Sequence, residues 1–141
     1  MAYDPKNIFA KILRGEIPAH KIYEDASTIA ILDVMPQSDG HTLIIPKAEA
    51  ENLFDLEPEM AEAVIRVGQQ IARAVRTAFR PDGVTLMQFN GAEAGQTVFH
   101  FHLHVIPRYA GQPLRAHGRG FADPAVLTEH AARLRAVLES G

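Results

Sequence analysis

The chain has no cysteine in its 141 residues. That excludes a disulfide framework and any metal site built on thiolates. It leaves the compartment open, because a secreted protein can lack cysteine too. Long apolar runs are missing as well: no stretch approaches the roughly 20 apolar residues of a membrane span. The opening "MAYDPKNIFAKILRGEIPAHK" is mixed and charged rather than of signal-peptide kind. The expectation is a soluble, cytoplasmic protein with no membrane partner. Positive charge is not in excess. The formal net charge is −3, which speaks against a broad nucleic-acid surface. Repeats, low-complexity tracts and Pro/Gly/Ser linkers are lacking, so residues 1–141 read as one domain. With 47% hydrophobic residues, a chain of this length has enough apolar material for one core.

What is present alternates between strand and helix patterns. Residues 5–14 predict a short helix closed by Gly15. "KIYE" (21–24) and "TIAILDV" (28–34) predict two strands joined by turn residues around Asp25 and Ser27. "HTLIIP" (41–46) predicts a third, closed by a proline that cannot donate to a ladder. The longest helix is predicted over about 58–80, with Met60, Val64, Val67, Ile71, Val75 and Ala78 on one face at helical spacing. "VTLMQFN" (84–90) predicts a fourth strand. A Gly-rich loop, "GAEAGQ" (91–96), leads to a fifth. Asp123-Pro124 opens a last helix with Leu127, Ala131, Leu134 and Leu138 on one side. The order implies an α+β fold, an antiparallel sheet of about five strands with one long central helix and a C-terminal helix.

The fifth strand pattern, "VFHFHLHVIPR" (98–108), places His100, His102 and His104 at alternate positions. In a strand they share one face, and Phe101, Leu103 and Val105 take the other. Same-face neighbours lie about 6.5–7 Å apart, so three in line fit one metal ion poorly. A neutral imidazole can instead attack an electrophile at pH 7. Phosphorus suits this site, because Gly91 and Gly95 let backbone amides curl towards an anion, and Gln96 and Thr97 add donors. Metal binding and a purely structural row remain the alternatives. His41 opens a strand and is ambiguous by itself; His20, His117 and His130 read as surface residues.

"HFHLHVI" resembles the histidine-triad (HIT) motif, His-φ-His-φ-His-φ-φ with φ apolar. "IFAKILRGEIPAHKIYED", "LDVMPQSDGHTLIIPK" and "NGAEAGQTVFHFHLHVIPR" resemble successive blocks of that superfamily, in order, over roughly residues 7–110; residues 111–141 are a variable tail. The resemblance is greatest to bacterial histidine-triad nucleotide-binding proteins. "EAGQTV" with "HVIPRYAG" is also similar to the dinucleoside polyphosphate hydrolases of the superfamily. It implies a HIT-like fold and cleavage at the α-phosphate of a purine nucleotide (AMP or GMP type), through a nucleotidyl-histidine intermediate. A nucleoside phosphoramidase is implied first. The alternatives are a dinucleoside polyphosphate hydrolase and a nucleotide-binding or signalling module with little turnover. By position, His102 would be the nucleophile and His104 would contact the α-phosphate. His100 would orient His102 through its backbone, and His41 would join the cluster. Asp33 would accept from ribose hydroxyls. Phe9, Ile12, Leu32 and Val34 would line the base pocket. Asn90, Gly95, Gln96, Thr97 and Val98 would lie around the phosphates. A homodimer through the long helix and a neighbouring strand is also implied.

Many bacterial relatives carry Cys-x-x-Cys where this chain has Asn7 and Ala10, and a histidine where it has Glu49, to help bind a structural zinc. The expectation here is no structural zinc, no required cofactor, and His100 relieved of metal ligation.

Overall fold

The computed structural model describes residues 3–116 and 120–140; His117 lies outside them. The first helix, α1 (Ile8–Leu13), starts later than the sequence pattern suggests. Asn7 ends the preceding turn, and its Oδ1 accepts from the N–H of Ala10 at 2.9 Å. Strands β1 (Lys21–Glu24) and β2 (Thr28–Leu32) form a hairpin. Its turn is organised by Asp25, which accepts from the N–H groups of Ser27 and Thr28 and from the hydroxyls of Thr28 and Tyr23. Burial alone would raise this carboxyl; the hydrogen bonds outweigh it and hold the pKa at about 2.

β2 stops at Leu32, two residues short of the pattern. Asp33 turns the chain out of the ladder, with its carboxylate accepting from the N–H of Met35. The loop 33–41 returns so that the N–H of Asp33 donates to the carbonyl of His41. β3 (Thr42–Pro46) therefore begins after His41. Gly40, at φ +92°, has a backbone conformation that a side chain would strain, in a tight space. A Cβ there would lie 3.1 Å from the Phe79 ring and 3.2 Å from Pro107. The tail braces the same loop: the N–H of Arg115 donates to Gln37 O, and that of Ala122 to Val34 O.

α2 (Pro58–Phe79) buries Val64, Val67, Ile71 and Val75, each worth about 1.5–3 kcal/mol relative to exposure. Met60 and Ala78 pack at the margin of that stripe. Arg80 ends the helix in the left-handed region, at φ 50°. β4 (Gly83–Met87) is shorter than its pattern. The side chains of Gln88 and Asn90 bond to each other at 2.8 Å, beyond the strand's end. A 3-10 turn (Ala92–Ala94) precedes β5 (Leu103–Arg108). α3 (Pro124–Ser140) follows Asp123, whose carboxylate accepts from the N–H of Ala125.

The sheet is antiparallel throughout, in the order β1-β2-β3-β5-β4. α2 and α3 cover one face over Ala30, Leu32, Ile44, Leu103 and Val105. The other face carries a smaller cluster, Phe9, Ile29, Ile31, Leu43 and Ile45, with Ile12 and Val98 at its margin. His130, expected on the surface, is buried with its ring edge-on to Phe79 at 4.9 Å. It shares the face of Leu127, Ala131 and Leu134 at helical spacing.

Candidate active site

The three histidines do not lie on one regular strand. His104 is in β5, paired with Leu43 on β3 and Met87 on β4. His100 and His102 precede the ladder. The β3–β5 register, Ile44 opposite Leu103, would continue with Pro46 opposite Phe101. Proline has no N–H to donate, so the pairing stops. The N–H of Phe101 goes instead to Ala50 O, and the His100 ring takes the carbonyl of Pro46. The alternation of faces survives: Phe101, Leu103 and Val105 enter the α2-side core, while the His102 and His104 rings stand 5.0 Å apart, centroid to centroid.

Hydrogen bonds fix where each proton sits. Nε2–H of His100 donates to Pro46 O at 2.8 Å. Burial lowers the pKa of this ring, partly offset by that bond, and favours its neutral form. Nδ1–H of His102 donates to the carbonyl of His100 at 2.7 Å. The lone pair of a neutral His102 is therefore on Nε2. The N–H of Gln37 donates to Nδ1 of His41 at 3.0 Å, so Nε2 of His41 carries a proton. That proton goes to Nδ1 of His104, 2.9 Å away, which leaves the proton of a neutral His104 on Nε2. The Asp33 carboxylate lies 3.6 Å from the same His41 Nε2. One histidine thus offers a lone pair beside a second that offers an N–H.

Phe9 stands edge-on to His102 at 4.8 Å, and Phe89 edge-on to His104 at 5.6 Å. Ile12 and Val98 flank the same small cluster. Leu32 does not: its side chain enters the α2-side core. Its neighbour Ile31, which the sequence reasoning did not name, shares the small cluster with Phe9. Strand alternation held the signal, since Ile31 and Asp33 are two apart. Val34 is exposed at the loop beyond. Asn90 accepts from the N–H of Leu53 and exchanges amide bonds with Gln88. Gln96 is buried. Its Oε1 accepts from the N–H of Gly91, and its Nε2 donates to Glu51 O and Val98 O, so it braces the loop. Gly95, at φ +105°, closes that loop beside Phe89. Thr97 is exposed and, with Val98, lines a cavity of about 340 Å³. A larger cavity of about 690 Å³ reaches Asp33 and His41 from the α3 side.

This geometry has relatives. A family model described as HIT domain matches residues 14–111. The chain belongs to the HIT family. A Hit-like protein of Bartonella henselae, described as involved in cell-cycle regulation and seen with an unknown ligand, is 47% identical. It superposes with a TM-score of 0.92 over 97% of this chain and 99% of that one. A zinc-bound histidine triad protein of Mycobacterium smegmatis is 41% identical, with a TM-score of 0.85 over 96% and 94%. An adenylylsulfatase of Arabidopsis thaliana is 41% identical over 116 residues, 78% of this chain but 59% of that protein.

Two places in this HIT chain bear on metal binding. Ligand atoms of Asp33, His41 and His104 lie within 4.8 Å of one another. His41, however, holds Nδ1 against a backbone N–H. Binding a cation through Nε2 would require an imidazolate, so the trio is a poor cation site. The second place is the one the resemblance implies for structural zinc. Ala10 offers no ligand atom. Asn7 turns its amide N–H groups to Tyr3 Oη and Asp4 O. Nδ1 of His100 is taken by Tyr3 Oη at 2.5 Å. These residues do not fit zinc.

Proposed function

We propose that the protein is a nucleotide hydrolase or transferase acting at the α-phosphate of a purine nucleotide, in the manner of a nucleoside phosphoramidase. The observation that carries this reading is the bond from His102 Nδ1–H to His100 O, which assigns the lone pair to Nε2 next to the His104 ring. Nε2 of His102 attacks the α-phosphorus and forms a P–N bond. The bond from phosphorus to the leaving group breaks, and the leaving group takes up a proton from solvent as it departs, a proton that the attacking water of the second step returns. His104, supplied through His41, donates Nε2–H towards the phosphate oxygens as charge builds. Water then attacks phosphorus, the P–N bond breaks, and nucleoside monophosphate leaves with His102 restored.

Asp33 accepts from ribose hydroxyls, and Phe9, Ile12 and Ile31 receive the base. No cofactor or structural zinc is required in this reading. Phosphorus chemistry is also what the plant relative's description as an adenylylsulfatase favours. A homodimer fits the same reading: β4 is an edge strand with Leu86 exposed, and α2 exposes Ile65. Among the described residues, no helix is long and apolar enough to cross a membrane.

The test is the His102→Ala variant assayed with adenosine 5′-phosphoramidate and a dinucleoside polyphosphate. Turnover is expected to fall at least about 10³-fold on the better substrate. Undiminished turnover rejects the mechanism. The ratio of kcat/KM for the two substrates decides between phosphoramidase and dinucleoside polyphosphate hydrolase. Tight AMP binding with negligible turnover by the unmodified protein would identify a binding module instead.

A further inference from the structure

The nucleophile is held by a main-chain carbonyl, that of His100, so whatever fixes His100 also fixes His102. The His100 ring is fully buried, and both its nitrogens are engaged. Nε2–H donates to Pro46 O, so Nδ1 is an acceptor and the hydroxyl 2.5 Å from it, that of Tyr3, is the donor. Tyr3 Oη in turn accepts from Nδ2 of Asn7 at 2.9 Å. The polarity runs one way, from Asn7 to Tyr3 to His100 to Pro46. Asn7 is also the cap of α1, the helix that carries Phe9 against the His102 ring. One short N-terminal segment therefore reaches the nucleophile by two routes, through the His100 backbone and through Phe9.

We infer that Tyr3 is a positioning residue: its hydroxyl, oriented by Asn7, clamps the His100 ring and so holds the carbonyl that sets the tautomer of His102. It does so where relatives are expected to place a metal, and where this chain has no ligand set for one. The inference rests on His102 being the nucleophile only for its kinetic consequence. The clamp itself is a statement about hydrogen bonds in the protein without substrate.

Tyr3→Phe keeps the ring and removes the hydroxyl. By the usual cost of removing a group that orients a reacting side chain, kcat falls about 10-fold, while KM changes less than about twofold. Ring ¹⁵N spectra without substrate supply the second readout. The Nδ1 signal of His100 moves towards that of a pyridine-type nitrogen with no hydrogen bond, and His102 shows a mixture of tautomers. Asn7→Ser retains a capping oxygen but loses the amide donor, and it shifts both readouts the same way by less. That variant also decides the matter if Tyr3→Phe does not fold. A lowered Tm with unchanged kcat and unchanged His102 ring signals in these variants would overturn the inference. If His102→Ala keeps its turnover, the chemical reading fails, and the ring spectra still judge the clamp.

Discussion

The two ends of the histidine row use one residue type in opposite ways. At the first end, His100 is sealed among Tyr3, Pro46 and Phe9, and what it presents to the site is a backbone carbonyl. At the second, His104 sits on a regular strand and presents its ring. Its Nδ1 is satisfied by His41, which is satisfied in turn by the backbone of Gln37. The difference lies in what reaches the ring nitrogens. A ring with a carbonyl at Nε2 and a hydroxyl at Nδ1 has spent both polar atoms on structure. A ring whose Nδ1 accepts from a neighbouring histidine carries its own N–H on Nε2. Imidazole supplies scaffold or chemistry according to its second partner.

That contrast is broken most sharply by His104→Ala. Losing a donor beside the proposed phosphate site is expected to lower kcat/KM per folded molecule about 10²–10⁴-fold, and the urea midpoint falls too, because a buried ring bonded to His41 is removed. Steady-state kinetics beside a denaturation curve check both parts. His100→Ala should act mainly on stability. It removes a fully buried ring and leaves the Pro46 carbonyl and the Tyr3 hydroxyl without their partner, at a cost of about 2–4 kcal/mol in stability. Unfolding curves report the loss, and activity per folded molecule falls far less than in His104→Ala.

The smallest effect is a pH dependence. The folded-state pKa of His100 lies below its ordinary value because of burial. As pH falls through about 6.5, the unfolded chain takes up its proton first. This contribution to stability is complete above that pH and declines below it. Urea midpoints between pH 8 and pH 5 should fall more steeply for the unaltered protein than for His100→Gln.

Much of this was legible in the sequence because it is local. The α2 stripe from Met60 to Ala78, the antiparallel sheet and the HIT resemblance follow from spacing and motif. His41, ambiguous by itself, was joined to the row only by the resemblance; the structure places it 2.9 Å from His104. Leu32, placed at the base pocket by the resemblance, packs in the α2-side core and lines the cavity that reaches Asp33 and His41, while its neighbour Ile31 shares a cluster with Phe9. His130 could have been found from the period of its own helix. Other features had no local signal. The histidine row leaves the ladder because Pro46 falls opposite Phe101, a register set by residues some 55 apart in the chain, and sequence alone does not fix that pairing. Tyr3 meets His100 across 97 positions.

The central claim, that His102 attacks phosphorus, is tested most directly by quenching the protein in acid-free denaturant during turnover of adenosine 5′-phosphoramidate and measuring its intact mass and peptide map. The account predicts an added adenylyl group on the peptide bearing His102, absent from His102→Ala. Steady turnover with no adduct, or an adduct on another residue, would contradict it.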